Sequence, residues 1–259
     1  MTKNFNFDVL VNEIDQFQKK FKLKKIHKIK KEFIIESSYN WNNSNEKKLS
    51  NWLLTKRKKT NLSISKIKLS ELRNWIIDKN LKSIDHVSKD FFRVIGVRVM
   101  NTNNREVKGW DQPFLEQIGF DGGILGLLRS KINGIPHYLL EAKEEPGNYK
   151  IVQLSPTVQA TFANLKKAHK GKSVNYANLF YKKNNPKVIK LFEQWVSEDG
   201  GRLFNKRNKI ILSEVENYKS IKLKKNFRWF TLWEINYLLK KNAFVSPHLR
   251  SFVAYMFSL

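Results

Sequence analysis

The chain has 259 residues, 41% of them hydrophobic, and 18 Phe, 7 Trp and 8 Tyr among them suffice for a buried core, which excludes general disorder. It carries 49 Lys+Arg against 23 Asp+Glu, a formal net charge of +26, and no cysteine, which excludes a disulfide scaffold, a thiolate metal site and a cysteine nucleophile. No apolar run approaches the roughly 20 residues of a membrane span, and Met1-Thr2-Lys3-Asn4-Phe5 opens no secretion signal, so a cytoplasmic protein is expected.

The charge is unevenly spread, with net +9 over residues 1–60, +3 over 61–150 and +14 over 151–259. Lysine supplies 39 of the 49 cations, and runs such as Lys56-Arg57-Lys58-Lys59 sit among Asn and Ile as on a solvated basic surface. Arginine, the better fork for phosphates and base edges, is scarce. Nucleic acid is therefore not the expected partner: the charge reads first as a solvated basic surface, and as a functional feature it would attract some polyanion, including a nucleoside diphosphate, by long-range field.

Phe7, Leu10, Val11, Ile14, Phe17 and Phe21 recur at three and four, predicting a helix over 5–21. Residues 36–62, polar and rich in Asn around Trp41 and Trp52, predict a loop with a short helix. Ser70 is read as the cap of a helix that aligns Leu72, Trp75 and Ile76. Residues 91–99 are β-branched and aromatic, as in a strand. The stretch 137–145 alternates, with His137, Leu139, Glu141, Lys143 and Glu145 on one side and Tyr138, Leu140 and Ala142 on the other. Glu145-Pro146-Gly147-Asn148 has Pro and Gly where a type II turn needs them. A further strand sets Val158, Ala160 and Phe162 against Thr157, Gln159 and Thr161.

Asn185-Pro186 predicts the start of a helix with Val188, Leu191, Phe192, Trp195 and Val196 in register, stopped by Gly200-Gly201. Residues 202–215 read as a basic strand. Thr231 and Glu234 form a capping box before Ile235, Leu238 and Leu239. Ser246-Pro247 opens a last helix that buries Leu249, Phe252, Val253, Met256 and Phe257. Strands and helices without a βαβ rhythm give an α+β fold, a mixed sheet with flanking helices. Two parts are expected: a basic N-terminal helical segment, 1–60, and a main domain, 61–259.

The five His show no ligand spacing, so no metal site is expected, and the glycine cluster of residues 121–126 reads as a tight turn. The informative block is 110–164, where acids, amides, hydroxyls and a lysine alternate with core residues. Two polar strand faces converging on one cleft offer acid/base groups and donors for a polyhydroxylated ligand. The same residues also fit a solvated, cross-paired strand face.

Six stretches carry a family resemblance: HVSKDFFRVIGVRV from His86, WDQP from Trp110, EAKEEPGN from Glu141, LSPTVQAT from Leu154, SEDGGRLFNKRN from Ser197 and FRWFTLWEINYLL from Phe227. In this order they resemble the nucleotide-sugar 2,3-dehydratases of deoxysugar biosynthesis, over about residues 60–259. The resemblance implies a Nudix-like sandwich that lacks the Nudix box. It implies a lyase without metal or redox cofactor that removes water across C2–C3 of a dTDP-linked 4-keto-6-deoxyhexose. By motif position, Glu141 and Glu145 are candidates for base and acid, and Lys143 for stabilising enolate or phosphate. Thr157 and Gln159 are candidates for holding sugar hydroxyls, Arg202 and Arg228 for the diphosphate, and Trp110 or Trp229 for stacking the base. Gln112, Asn148 and Thr161 complete the substrate-binding candidates. Family members usually carry two tandem copies of the unit and this chain holds one, which implies a homodimer. The rival readings are a non-catalytic nucleotide-sugar binder, a lyase on another nucleotide sugar, and a basic nucleic-acid-binding module.

Overall fold

The computed structural model describes residues 7–23, 26–80, 82–119, 122–168, 170–181 and 188–258. Three helices come first: α1 (Phe7–Lys20), α2 (Lys28–Ser38) and α3 (Glu46–Lys58). Four strands follow, β1 (Trp75–Asp78), β2 (Ser83–His86), β3 (Phe92–Val99) and β4 (Trp110–Gln117). The middle of the chain holds β5 (Gly123–Ile132), β6 (Ile135–Glu144), β7 (Val152–Ser155), β8 (Val158–Thr161) and the short helices α4 (Phe162–Leu165) and α5 (Asn178–Tyr181). Then come β9 (Val188–Ser197), β10 (Leu203–Phe204), β11 (Arg207–Val215), β12 (Phe227–Phe230), α6 (Leu232–Leu239) and α7 (Pro247–Ser258).

The fold is α+β, but the strands form two mixed sheets instead of one. The five-stranded sheet runs β1-β2-β3-β4-β10, with β10 parallel to β4. The seven-stranded sheet runs β12-β6-β5-β11-β9, with β11 parallel to β5, β7 on β6 and β8 on β5. Consecutive strands β10 and β11 belong to different sheets, so the chain crosses from one to the other at Asn205-Lys206.

Alternation along the central strands puts an apolar layer on each face of the larger sheet. Leu125, Leu127, Tyr138, Leu140, Ile210 and Leu212 pack with Phe33, Leu49, Leu238 and Phe252 from the helices. Ile124, Leu128, Leu139, Val158 and Ile211 pack on the other side with Phe180 and Phe227. Full burial of a side chain such as Phe33 contributes about 1.5–3 kcal/mol. Phe33 belongs to α2 and Leu49 to α3, so helices before residue 60 share this core with the sheet.

A second tie holds α2 to the sheet. Arg129 of β5 is 2% exposed and donates from Nη2 to Glu32 and Glu36 of α2, at 2.6 Å each, while Nη1 pairs with Glu214 of β11. The Tyr138 hydroxyl donates to the other Glu36 oxygen. Burial raises the pKa of Glu36, with Arg129 and Tyr138 opposing.

Several elements differ from the sequence-based expectation. Residues 36–62 hold a 13-residue helix, α3, capped by Asn45, whose side chain accepts from Lys48 N at 3.0 Å. Ser70 lies in a single 3₁₀ turn, and Trp75 and Ile76 begin a strand. The expected helix over Val188, Leu191, Phe192, Trp195 and Val196 is the strand β9, paired antiparallel with β11; Asn185-Pro186 lie outside the described residues. Glu145-Pro146-Gly147-Asn148 does turn, with Asn148 N donating to Glu145 O at 3.1 Å, but Gly147 lacks the positive φ of type II. Gly123 and Gly126 lie inside β5 rather than in a turn, and a Cβ at Gly123 would meet Ala160 O at 2.6 Å. The capping box is present as expected: Thr231 Oγ1 accepts from Glu234 N, and Glu234 accepts from Thr231 N. Among the described residues no helix is long and apolar enough to cross a membrane.

Candidate functional site

The larger sheet forks. β5 and β6 pair from Leu128↔Leu139 to the Asn133-Gly134 hairpin and then diverge, β6 taking β7 as its neighbour and β5 taking β8. Thr157 sits at the fork, 1% exposed. Its hydroxyl accepts from Leu128 N at 2.8 Å and donates to Leu139 O, bonding two backbone groups where the strands part. The sugar contact expected of Thr157 is therefore closed to it.

Beside the fork lies a cleft of about 330 Å³. One wall carries Lys143, Glu145, Gln159 and Thr161 from β6, β8 and the turn between, above Ile124 and Leu125 of β5. The other carries Glu198 after β9, Lys206 and Asn208 at the β10–β11 crossing, and His248 of α7. A second hollow of about 500 Å³ adjoins it, sharing Glu198, Leu203 and Lys206. Val97 and Phe114 of the smaller sheet and Arg207 line this extension, so the combined trough runs between the two sheets.

Both walls are internally bonded. Gln159 Nε2 donates to Glu145 Oε1 at 3.1 Å, whereas Gln159 Oε1 is buried without a hydrogen-bond partner among the described residues. Opposite, Lys206 Nζ donates to Asn208 Oδ1 at 2.7 Å, Asn208 Nδ2 donates to Glu198, and His248 Nδ1 lies 3.7 Å from Glu198 Oε1. Thr161 Oγ1 accepts from Asn164 N and caps α4. The cleft thus combines two carboxylates, two ammonium groups, an imidazole, and an amide oxygen that burial leaves in want of a donor.

Glu141 stands apart from this lining. It sits 3.8 Å from Lys143 Nζ, and burial raises its pKa, with Lys143 opposing and Glu145 adding to the rise. Its link to the cleft runs through Lys143.

The other expected substrate contacts lie elsewhere. Trp110 donates from Nε1 to Gln112 on β4, and Gln112 Nε2 donates to Gly201 O at 2.8 Å. Asn148 donates to Lys143 O and Ile151 O, folding its own turn. Arg202 is 84% exposed and 3.6 Å from Asp199. Arg228 lies over Phe230 and Trp52 and 3.9 Å from Glu234, while Trp229 packs on the second apolar layer. None of these six lines either hollow.

Sequence reasoning missed Glu198, Lys206, Asn208 and His248. The first three fall within the Ser197–Asn208 stretch that carried part of the resemblance, where Arg202 was singled out instead. His248 had only its place beside the Ser246-Pro247 helix start. Among the described residues no group of His, Asp and Glu is arranged to hold a metal ion.

Comparisons with known proteins agree with the motif pattern. A family model described as NDP-hexose 2,3-dehydratase matches residues 46–256. A dTDP-4-dehydro-6-deoxy-alpha-D-glucopyranose 2,3-dehydratase of Saccharopolyspora spinosa is 33% identical over 200 residues, covering 77% of this chain and 40% of that protein. One of the same name from Amycolatopsis orientalis is 32% identical over 204 residues, covering 77% and 42%. The chain thus spans about two-fifths of the length of the curated relatives it matches. Among solved structures, an Ap4A hydrolase binary complex of C. elegans matches at 14% identity and a TM-score of 0.34, over 54% of this chain and 100% of that one. The Nudix hydrolase RenU of M. smegmatis matches at 13% identity and 0.31, over 54% and 90%. The fold itself is defined by the strand order of the two mixed sheets. On the match of 46–256, together with the motifs it contains, the chain belongs to the NDP-hexose 2,3-dehydratase family.

Proposed function

We propose that this chain removes water across C2–C3 of a dTDP-linked 4-keto-6-deoxyhexose, giving a 3,4-diketo-2,6-dideoxy sugar nucleotide. The single observation that carries the reading is the cleft pairing of Glu145 with Gln159, whose buried Oε1 lacks the donor that a sugar hydroxyl supplies. The C4 ketone acidifies the C3 proton, and Glu145 is placed as its base. Lys143 faces the same cleft and stabilises the enolate oxygen that develops at C4. Glu141, outside the lining, positions Lys143. Lys206 and Arg207 line the adjoining hollow and are better placed for a diphosphate than the exposed Arg202 or the packed Arg228.

The test is mass spectrometry of purified protein incubated with dTDP-4-keto-6-deoxyglucose. Loss of one water from the sugar nucleotide is expected. An unchanged substrate, with no shift in melting temperature on adding dTDP, overturns the reading.

Pairing with a second copy belongs to the same proposal. It is supported by the apolar residues at the free edge of the smaller sheet, where Ile76 is 46% and Ile77 75% exposed. Light scattering at assay concentration is expected to give the mass of two chains, and a monomer mass overturns it.

A further inference from the structure

We propose that His248 is the general acid that protonates the departing C2 hydroxyl. The inference rests on the dehydration reading above and adds a residue that neither the motifs nor the family match singled out. Expelling hydroxide from carbon is slow unless a proton accompanies it, so a second proton-carrying group is needed besides the C3 base. The wall that carries Glu145 offers no such group, because Lys143 serves the enolate and Glu141 does not line the cleft. Among the other residues that line the cleft, His248 is the side chain whose two ring nitrogens can both donate and accept a proton.

Its setting is built. Glu198 Oε1 lies 3.7 Å from Nδ1, close enough to favour the protonated ring electrostatically. Glu198 is itself fixed by Asn208 Nδ2, and Asn208 by Lys206 Nζ at 2.7 Å. The chain Lys206–Asn208–Glu198–His248 thus joins the β10–β11 crossing, the end of β9 and the start of α7 around one hollow. An imidazole beside a carboxylate is an arrangement suited to repeated proton transfer.

The steps balance. Glu145 takes the C3 proton, and the electron pair of that bond forms the C4 enolate. As the C4 carbonyl re-forms, the pair moves into a C2=C3 bond and the C2–O bond breaks. The imidazolium gives its proton to the departing oxygen, releasing water and leaving neutral imidazole and a C3 enol. Ketonisation then returns the proton on Glu145 to C2, while the imidazole takes the proton from O3. Both groups end as they began, and no oxidant or reductant is consumed.

The test separates the two half-reactions. In deuterated water, with dTDP-4-keto-6-deoxyglucose, mass spectrometry follows deuterium entering recovered substrate at C3 and, separately, loss of water. His248→Gln is expected to keep the C3 exchange and to lose elimination by roughly 10²–10⁴-fold, the usual worth of a general acid. If the Gln variant does not fold, His248→Asn is read the same way. A variant that eliminates water at the unaltered rate overturns the proposal. So does a variant that melts normally yet loses exchange and elimination together, because the residue then serves an earlier step. An unaltered protein that neither exchanges nor eliminates overturns the dehydration reading itself, a different result from an active protein with an active variant.

Discussion

Gln159 and Glu145 lock each other across the cleft wall: the amide nitrogen of one donates to the carboxylate of the other at 3.1 Å. The opposite end of that amide is buried and unpartnered among the described residues. Such a group costs about 1–3 kcal/mol when left unmet, so the free protein holds a site that a ligand hydroxyl improves. Gln159→Leu keeps much of the volume and removes both functions. We expect kcat/KM for the keto sugar to fall roughly 10–100-fold, with a melting temperature close to that of the unaltered protein. Unchanged kinetics would remove Gln159 from the site.

Glu141 sets a pH dependence of stability. Burial raises its folded pKa above the ordinary carboxylate value, so the folded state holds the proton more tightly than the unfolded chain. Its contribution is most favourable below the unfolded value and declines as pH rises through the folded one. Glu141→Gln removes that decline. Thermal melts should show the variant gaining on the unaltered protein between pH 4 and pH 8, and a difference constant across that range contradicts the assignment.

Arg129 anchors α2 through Glu32 and Glu36 and reaches Glu214 of β11. Arg129→Met leaves buried carboxylates without their cation and should lower the unfolding free energy by about 3–5 kcal/mol. Urea denaturation measures this directly. A loss below about 1 kcal/mol, the worth of an exposed pair, would mean that the cluster is hydrated.

Thr157→Val replaces the fork hydroxyl with a methyl of similar size and strands Leu128 N and Leu139 O. A loss of about 1–3 kcal/mol is expected in the same denaturation experiment. Hydrogen exchange of the Leu128 amide gives a local check, since its protection should fall most.

β6 was legible because polar residues alternate with apolar ones along it, whereas β5, buried on both faces, reads as a continuous apolar run with glycines and not as an alternating strand. Tyr138, Leu140 and Ala142 against Leu139 and Glu141 could be sorted from the sequence. β9 could not. Its register with β11 shifts between Leu212 and Ser213, where Phe192 and Lys190 are the successive partners, so Leu191 is an inserted residue. That bulge breaks the period of two, and of the apolar residues at 188, 189, 191, 192, 195 and 196 all but Ile189 fall at a spacing that imitates a helix. Trp75 and Ile76 misled similarly, since pairing with β2 outweighs the local pattern in a four-residue strand.

The site was half legible for a related reason. Lys143, Glu145, Gln159 and Thr161 lie close in sequence and share a wall, so local reasoning finds them. Glu198, Lys206, Asn208 and His248 reach the cleft from three elements whose meeting depends on the crossing between sheets. Thr157 looked like its neighbour Gln159 in a strand pattern, and only the fork shows that one hydroxyl is spent on backbone while the next amide is not.

The fork has a consequence for how such a protein can change. Because Thr157 completes the backbone bonding where the strands part, the side chains of Glu145 and Gln159 are not needed to hold that fork together. Exchanging Glu145 or Gln159 therefore alters what the hollow accepts without loosening the frame around it. On the proposed function, recognition and the backbone bonding of the fork are carried by different atoms, and a new ligand preference can arise on an unchanged fork.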